Sequence, residues 1–355
     1  MTGLGSVSRR LITGVVAALV PIIPLVVAVS PATAATTSAS ATATTRRVAP
    51  VAGSADYLAY VVGTSSRKAY IPGNEKTGTL YVRSRSGKVR KLGAMAPDPD
   101  FSLVGSTLIE MSVSATDTEH VSWWDLASKA HGSFSVGGNE SRWVVAAAPH
   151  GWLMMSRGAE EGDEALSYRH FDGTTTNLGH PTRAGVGYNV VAGAAGYVAY
   201  SNNDENGDGE IVYSSWKHPT KRIVLQKPGG VDGNFCNEVG TKWALCGLYD
   251  LSHSPVALIR LSDAKQVRTT ARCRSPYGAL VSAKAAWVNR GSKGCTKGRV
   301  EMFDTHGHIT KSSRHNYNWR FQLSGLSRLV TTNQAQTKVL GLTKANGTPK
   351  VLARV

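Results

Sequence analysis

Seven times between Val48 and Val355 an apolar, strand-like run reaches a short polar turn and is followed by a second short run. The paired segments read LYVRSRSGKVRKL, WWDLASKAHGSF, YRHFDGTTTNL, VYSSWKHPTKRIVL, ALIRLSDAKQVRT, VEMFDTHGHIT and VLGLTKANGTPKVLARV. Their turns centre near Ser86, Ser128, Asp172, His218, Asp263, His306 and Asn346, giving spacings of 42, 44, 46, 45, 43 and 40 residues. A fixed period of this length constrains a chain more than any single motif. Each repeat must be one supersecondary unit whose apolar faces are buried by its neighbours.

Two further β-like runs precede each pair, for example FSLVGS with TLIEMSVS, WVVAAA with GWLMMSR, and YNVVAGA with GYVAYS. Val, Tyr, Trp and Thr at alternating positions, with Gly at the joins, are strand and hairpin signals. Four strands about every 44 residues describe a propeller blade. The expected fold is therefore all-β, a β-propeller of seven blades of four antiparallel strands over residues 48–355. Six blades with an irregular N-terminal hairpin is the alternative, because the first strand of blade 1 is the least regular. The pattern resembles the secreted bacterial propellers grouped as TolB-like or WD40-like, and the resemblance is one of architecture. A single Trp124-Asp125 and a single Gly137-Gly138 stand where WD40 and kelch repeats would show many. Fold alone supplies no function.

Residues 1–34 read as a signal peptide. Arg9-Arg10 precede an apolar run from Leu11 to Val29, and Ala32-Thr33-Ala34 offers the small-x-small pattern of a cleavage site. An uncleaved N-terminal anchor and a twin-arginine export route, suggested by Ser8-Arg9-Arg10-Leu11-Ile12, stay open. Residues 35–47 (ATTSASATATTRR) form a low-complexity linker that can bury almost nothing. The expectation is an exported protein, extracellular or wall-associated, with no transmembrane segment once the signal is removed.

Four cysteines fit that compartment. Cys236 and Cys246 flank the turn at Gly240-Thr241-Lys242 symmetrically, so a hairpin centred on Thr241 places them opposite each other. Cys273 and Cys295 would form a second bridge between neighbouring blades; four cysteines allow three connectivities.

The acidic loop 202–210 (NNDENGDGE) carries Asp204, Asn206 and Asp208 ahead of Gly209, which matches the start of a calcium loop. Position 12 of that loop is Ser215, with Glu210 as a substitute ligand, and an ordinary solvated hairpin tip competes with the calcium reading. No other cofactor is expected.

Charge separates by blade. Blade 2 carries Asp117 and Glu119, and blade 3 carries Glu160, Glu161, Asp163 and Glu164. Blade 6 places Arg290, Lys293, Lys297 and Arg299 in the equivalent loop. Loops between second and third strands share one face of a propeller, so these residues mark a candidate docking face. Without the four arginines before Val48 the chain holds 36 basic residues against 24 acidic, concentrated on outer strands near Arg83 to Lys91, Lys217 to Arg222 and Lys265 to Arg274. The expected partner is a protein or an anionic cell-envelope polymer, bound without catalysis through the loop face and basic rim. No motif supports nucleic acid. A propeller lyase or hydrolase acting on a polysaccharide or lactone at the channel mouth is the competing reading. It finds only Arg142, Asn189, Asn237, Glu238 and Arg320 as polar groups near the first strands, and no catalytic residue is assigned. His306-Gly307-His308 falls on an exposed turn, and Trp123-Trp124 offers one indole for stacking on a sugar.

Overall fold

The computed structural model describes residues 45–65, 78–137, 142–157, 164–180, 188–201, 210–226, 234–248, 256–269, 278–288, 297–311, 315–318 and 320–355. Their 28 strands form seven four-stranded sheets, each a meander of consecutive antiparallel strands. The blades occupy residues 45–94, 100–136, 142–179, 188–226, 234–269, 279–311 and 323–354. Blade 1 is complete, so seven blades stand and the six-bladed alternative falls. Its first strand, Thr45–Gly53, begins within the Ala/Ser/Thr-rich stretch and takes Arg46 and Arg47 into the sheet. Among the described residues no helix is long and apolar enough to cross a membrane.

The first strand of each blade lies innermost. Those strands are Thr45–Gly53, Asp100–Val104, Arg142–Ala148, Tyr188–Ala192, Asn234–Val239, Ala279–Val281 and Leu323–Gly325, and each touches its counterparts in the blades on either side. Because strand side chains alternate between two faces, every blade offers one apolar face to the blade before it and one to the blade after. In blade 5, Ala244 and Cys246 pack against Ile211 and Tyr213 of blade 4, while Leu245 packs against Leu280 and Trp287 of blade 6. Seven hydrophobic clusters result, one for each interface in the ring.

The ring closes without a shared blade. All four strands of blade 7 come from the C-terminal end, and blade 1 packs against them through Val48, Leu58, Tyr60 and Val62 on Val330, Val339, Leu352 and Ala353. Two backbone bonds cross this seam, from the Val48 N–H to Gln336 O at 2.7 Å and from the Leu326 N–H to Ser54 O at 2.7 Å. The approach is so close that a Cβ on Gly53 would stand 2.0 Å from Ser324 O. Only glycine fits there.

Cys236 and Cys246 are directly paired across blade 5 with Cα atoms 3.9 Å apart, and they form the disulfide expected from their hairpin symmetry. Cys273 and Cys295 lie outside the described residues.

Candidate functional site

An innermost strand is a sheet edge, so half its backbone donors and acceptors have no partner within the blade. Here side chains of neighbouring blades supply part of that need. Ser102 Oγ of blade 2 accepts the Ala147 N–H of blade 3 at 2.9 Å, and Glu119 Oε2 accepts the Val144 N–H at 2.8 Å. Glu238 Oε2 of blade 5 accepts the Leu280 N–H of blade 6 at 2.7 Å. From blade 7, Gln322 Oε1 accepts the Val288 N–H at 2.8 Å, and the Ser324 hydroxyl donates to Leu280 O at 2.8 Å. These bonds lace neighbouring blades together around a channel.

The channel holds a cavity of about 830 Å³ to which all seven blades contribute. Its walls are mainly small and apolar, as the innermost strand sequences require. Among the described residues four carboxylates line it, from Asp98, Asp100, Glu119 and Glu238, and no Lys, Arg or His does. Asn189 and Asn237 line it as the sequence suggests, whereas Arg142 and Arg320 do not. Partial withdrawal from water raises the Asp100 pKa above the ordinary carboxylate range, and the neighbouring Asp98 charge adds to the effect. Burial also raises Glu119, against the opposing pull of the Val144 N–H. Glu238 is pushed up to about 7 by burial, with the bonds from Leu280 and Ser324 drawing it partly back.

The docking-face residues distribute unevenly. Asp117 is exposed at the tip between the second and third strands of blade 2, with a left-handed φ of 55°. Lys297 is exposed and Arg299 is half-buried. Glu119, Glu164 and Glu210 recur at the start of the third strand in blades 2, 3 and 4, where Glu164 and Glu210 are buried and Glu119 is half-buried. Glu160, Glu161, Asp163, Arg290 and Lys293 lie outside the described residues, as do the calcium-loop candidates Asp204, Asn206 and Asp208.

Trp123 does not stand out as a stacking platform, because its ring stacks on Phe171 at 4.5 Å and meets Trp152 at 6.4 Å between blades 2 and 3. Trp124 packs on the blade 1–2 core. Alternation sent the two indoles into opposite blade interfaces. His306 and His308 sit exposed on a turn whose Asp304 accepts both their backbone N–H groups.

That turn follows a rule. Asp125, Asp172, Asp263 and Asp304 each open the turn before an outermost strand, and each carboxylate accepts the backbone N–H two residues on. Asp263 also pairs with Arg260. In blades 1 and 4 the position belongs to Ser84 and Ser215. The outer halves of those blades, residues 79–94 and 211–226, therefore carry five and three Lys or Arg residues with no Asp or Glu.

Known structures match this architecture. The β-propeller domain of the trilobed protease from Pyrococcus furiosus, described as having an open velcro topology, aligns over 87% of this chain and 98% of its own, with a TM-score of 0.55 and 11% identity. The chain is a seven-bladed β-propeller. The acylaminoacyl peptidase of Pyrococcus horikoshii aligns over 87% of this chain at a TM-score of 0.53 and 10% identity, and the propeller spans about half, 52%, of that longer chain. TolB from Acinetobacter baumannii aligns over 74% of this chain and 64% of its own, with a TM-score of 0.44 and 12% identity. No protein-family model and no curated protein sequence matches the propeller. Likeness at this level of identity establishes fold and leaves the chemistry to the residues.

Proposed function

We propose that this propeller is an exported binding module that docks on an anionic polymer of the cell envelope through the outer strands of blades 1, 4 and 5. The observation that carries the proposal is the unbalanced rim. Lys88, Lys91, Lys217, Lys221, Lys265 and Arg268 are exposed, while the acids of the same hairpins occur only where a turn needs them. Outermost strands commonly carry Lys to discourage edge-to-edge pairing, but the rims of blades 1, 4 and 7, which carry no acid, exceed that need and create an attractive field for polyanions. The N-terminal signal pattern and the Cys236–Cys246 disulfide support an oxidising, extracytoplasmic location. The channel supports binding over catalysis, since Ser102, Glu119, Glu238, Gln322 and Ser324 spend hydrogen bonds on holding blades together.

Co-sedimentation with cell-wall sacculi, intact or stripped of anionic polymer, tests the proposal across a salt series. Binding should be strong at low salt, lost on stripping, and weaker for the triple variant Lys88→Gln, Arg90→Gln, Lys91→Gln. The slope of log affinity against log salt should shrink by roughly 0.7 for each phosphate contact removed. Binding that ignores both stripping and salt would refute a charge-directed role and point instead to a protein partner.

A further inference from the structure

Every blade is a meander, so the turns joining its first strand to its second and its third to its fourth emerge at the same end. Contacts between blades hold these ends level around the ring. Ser54 Oγ of blade 1 donates to Gly105 O of blade 2 at 2.8 Å, and Thr107 Oγ1 of blade 2 accepts the His150 N–H of blade 3 at 3.0 Å. The Ala194 N–H of blade 4 reaches Val239 O of blade 5 at 3.2 Å. All fourteen turns are short, with two to seven residues each. In blades 1 to 5 the residue that opens the outer turn (Arg85, Leu126, Phe171, Trp216 or Leu261) donates its N–H to the carbonyl that closes the inner turn, at 2.7 to 3.2 Å. Short turns bonded in pairs make this end of the ring a level, rigid face.

The face is cationic on every blade. Lys88, Lys129, Arg169 and Lys217 are exposed on it in blades 1 to 4. Lys242, Lys284 and Lys344 continue the series through blades 5, 6 and 7. Among the described residues none of the seven joins an ion pair. The turns, with one strand residue on either side of each, hold eleven Lys or Arg against five Asp and no Glu. Those acids are tied down where the lysines are not. Asp125, Asp172, Asp263 and Asp304 accept N–H groups of their own turns, and Asp56 lies 3.8 Å from Arg85. The opposite end of the ring mixes signs, with Asp98, Asp100 and Asp117 exposed there as well as Arg142 and Arg157.

We propose that the turn face lies flat on a bilayer surface rich in anionic phospholipid, with a cation from each blade among the headgroups. A planar leaflet meets all seven blades at once, whereas a linear polyanion meets only the blades it crosses. The attraction of a Lys or Arg to such a surface falls off within a Debye length. Cations spread over a level face therefore add their contributions, and cations on a rim that stands away from the surface do not. The face is distinct from the middle of the outer strands, where Lys91, Lys221 and Arg268 lie, so membrane docking and polymer binding are separable.

Co-sedimentation of the purified protein with vesicles tests the assignment at about 0.15 M salt. One set of vesicles is phosphatidylcholine alone, and the other is equal parts phosphatidylcholine and phosphatidylglycerol. The turn-face variant combines Lys129→Gln, Arg169→Gln, Lys284→Gln and Lys344→Gln, all in blades outside the basic rim. A charge-matched control combines Arg142→Gln, Arg157→Gln, Lys338→Gln and Arg354→Gln, four exposed cations at the opposite end. Taking the ratio of the partition coefficients on anionic and neutral vesicles cancels any contribution of the apolar run from Leu11 to Val29. At about fivefold for each cation, this ratio should fall at least about a hundredfold in the turn-face variant and less than about fivefold in the control. All eight positions are exposed, so circular dichroism and Tm should match the parent and separate lost binding from lost fold. A ratio near one for the parent protein, or equal losses in the two folded variants, overturns the proposal. So does a turn-face variant that keeps the anionic vesicles and loses cell-wall sacculi, which would give this face to a linear polymer. Loss of sacculus binding in the rim variant alone leaves the vesicle result untouched.

Discussion

Replacing Glu238 by glutamine should make the propeller more stable at pH 8 and leave it nearly unchanged at pH 4. The carboxyl joins three blades, standing on blade 5 while bonding Leu280 of blade 6 and Ser324 of blade 7. An ordinary glutamate titrates near 4.5 and this one near 7. Its folded pKa is raised, so stability is full below pH 4.5, declines as pH climbs toward 7 and is level above. At about 1.4 kcal/mol for each pH step, the ionised carboxylate costs the folded state about 3 kcal/mol. The side chain keeps partial exposure to the channel, and channel water screens the charge, which brings the expected difference to about 1–2 kcal/mol. Glutamine preserves an acceptor for the Leu280 N–H and adds an N–H donor for the oxygen of Ser324, whose own proton goes to Leu280 O, without ionising. Urea denaturation of both proteins at half-unit intervals between pH 4 and 8.5 reads the difference directly, because titrations common to both cancel. A flat difference, or a glutamine variant less stable at pH 8, would refute the argument that desolvation outweighs the bonds this carboxylate accepts.

Gly53→Ala places a methyl group 2.0 Å from Ser324 O at the blade 1–7 seam, whereas Gly93→Ala meets nothing within 4 Å. Thermal unfolding should show a loss of roughly 1–3 kcal/mol for the first and little change for the second; equal effects would contradict the tight seam. Removing the disulfide by Cys236→Ser with Cys246→Ser opens a loop with a sequence separation of 10. It should cost roughly 2–3 kcal/mol in a denaturation experiment, and an unchanged midpoint would show that the blade 4–5 core alone holds this hairpin.

The blade count was legible because a propeller writes its period into the chain: the turn before the outermost strand opens on Asp in blades 2, 3, 5 and 6, at Asp125, Asp172, Asp263 and Asp304, and on Ser in blades 1 and 4. Cys236 and Cys246 could be paired because a hairpin's partners lie symmetrically about its turn. What lies between blades was harder to read. Glu119, Glu164 and Glu210 look like loop acids in a linear reading, and only register and blade packing reveal that Glu164 and Glu210 are buried and Glu119 half-buried. Their spacings of 45 and 46 residues were the available signal, since loop charges have no reason to keep the period. Asp98, Asp100 and Trp143 are illegible in sequence for a similar reason: they come to line one channel only when the blades close into a ring. Trp123 shows the converse, where alternation was correctly invoked but the face it selects is covered by Phe171 of the next blade.

The seam between blades 7 and 1 dictates an order of assembly. Six of the seven interfaces join blades adjacent in the chain, but the contact of Arg47 with Ala335 O spans 288 residues. A polypeptide that emerges N-terminus first can build these six as an advancing arc. Val48, Leu58 and Tyr60 then face water until Val330, Val339 and Leu352 arrive. The last strand, Lys350–Arg354, is the piece that turns an arc with a sticky apolar end into a ring, so a C-terminal truncation of a few residues threatens solubility more than its small share of the fold suggests.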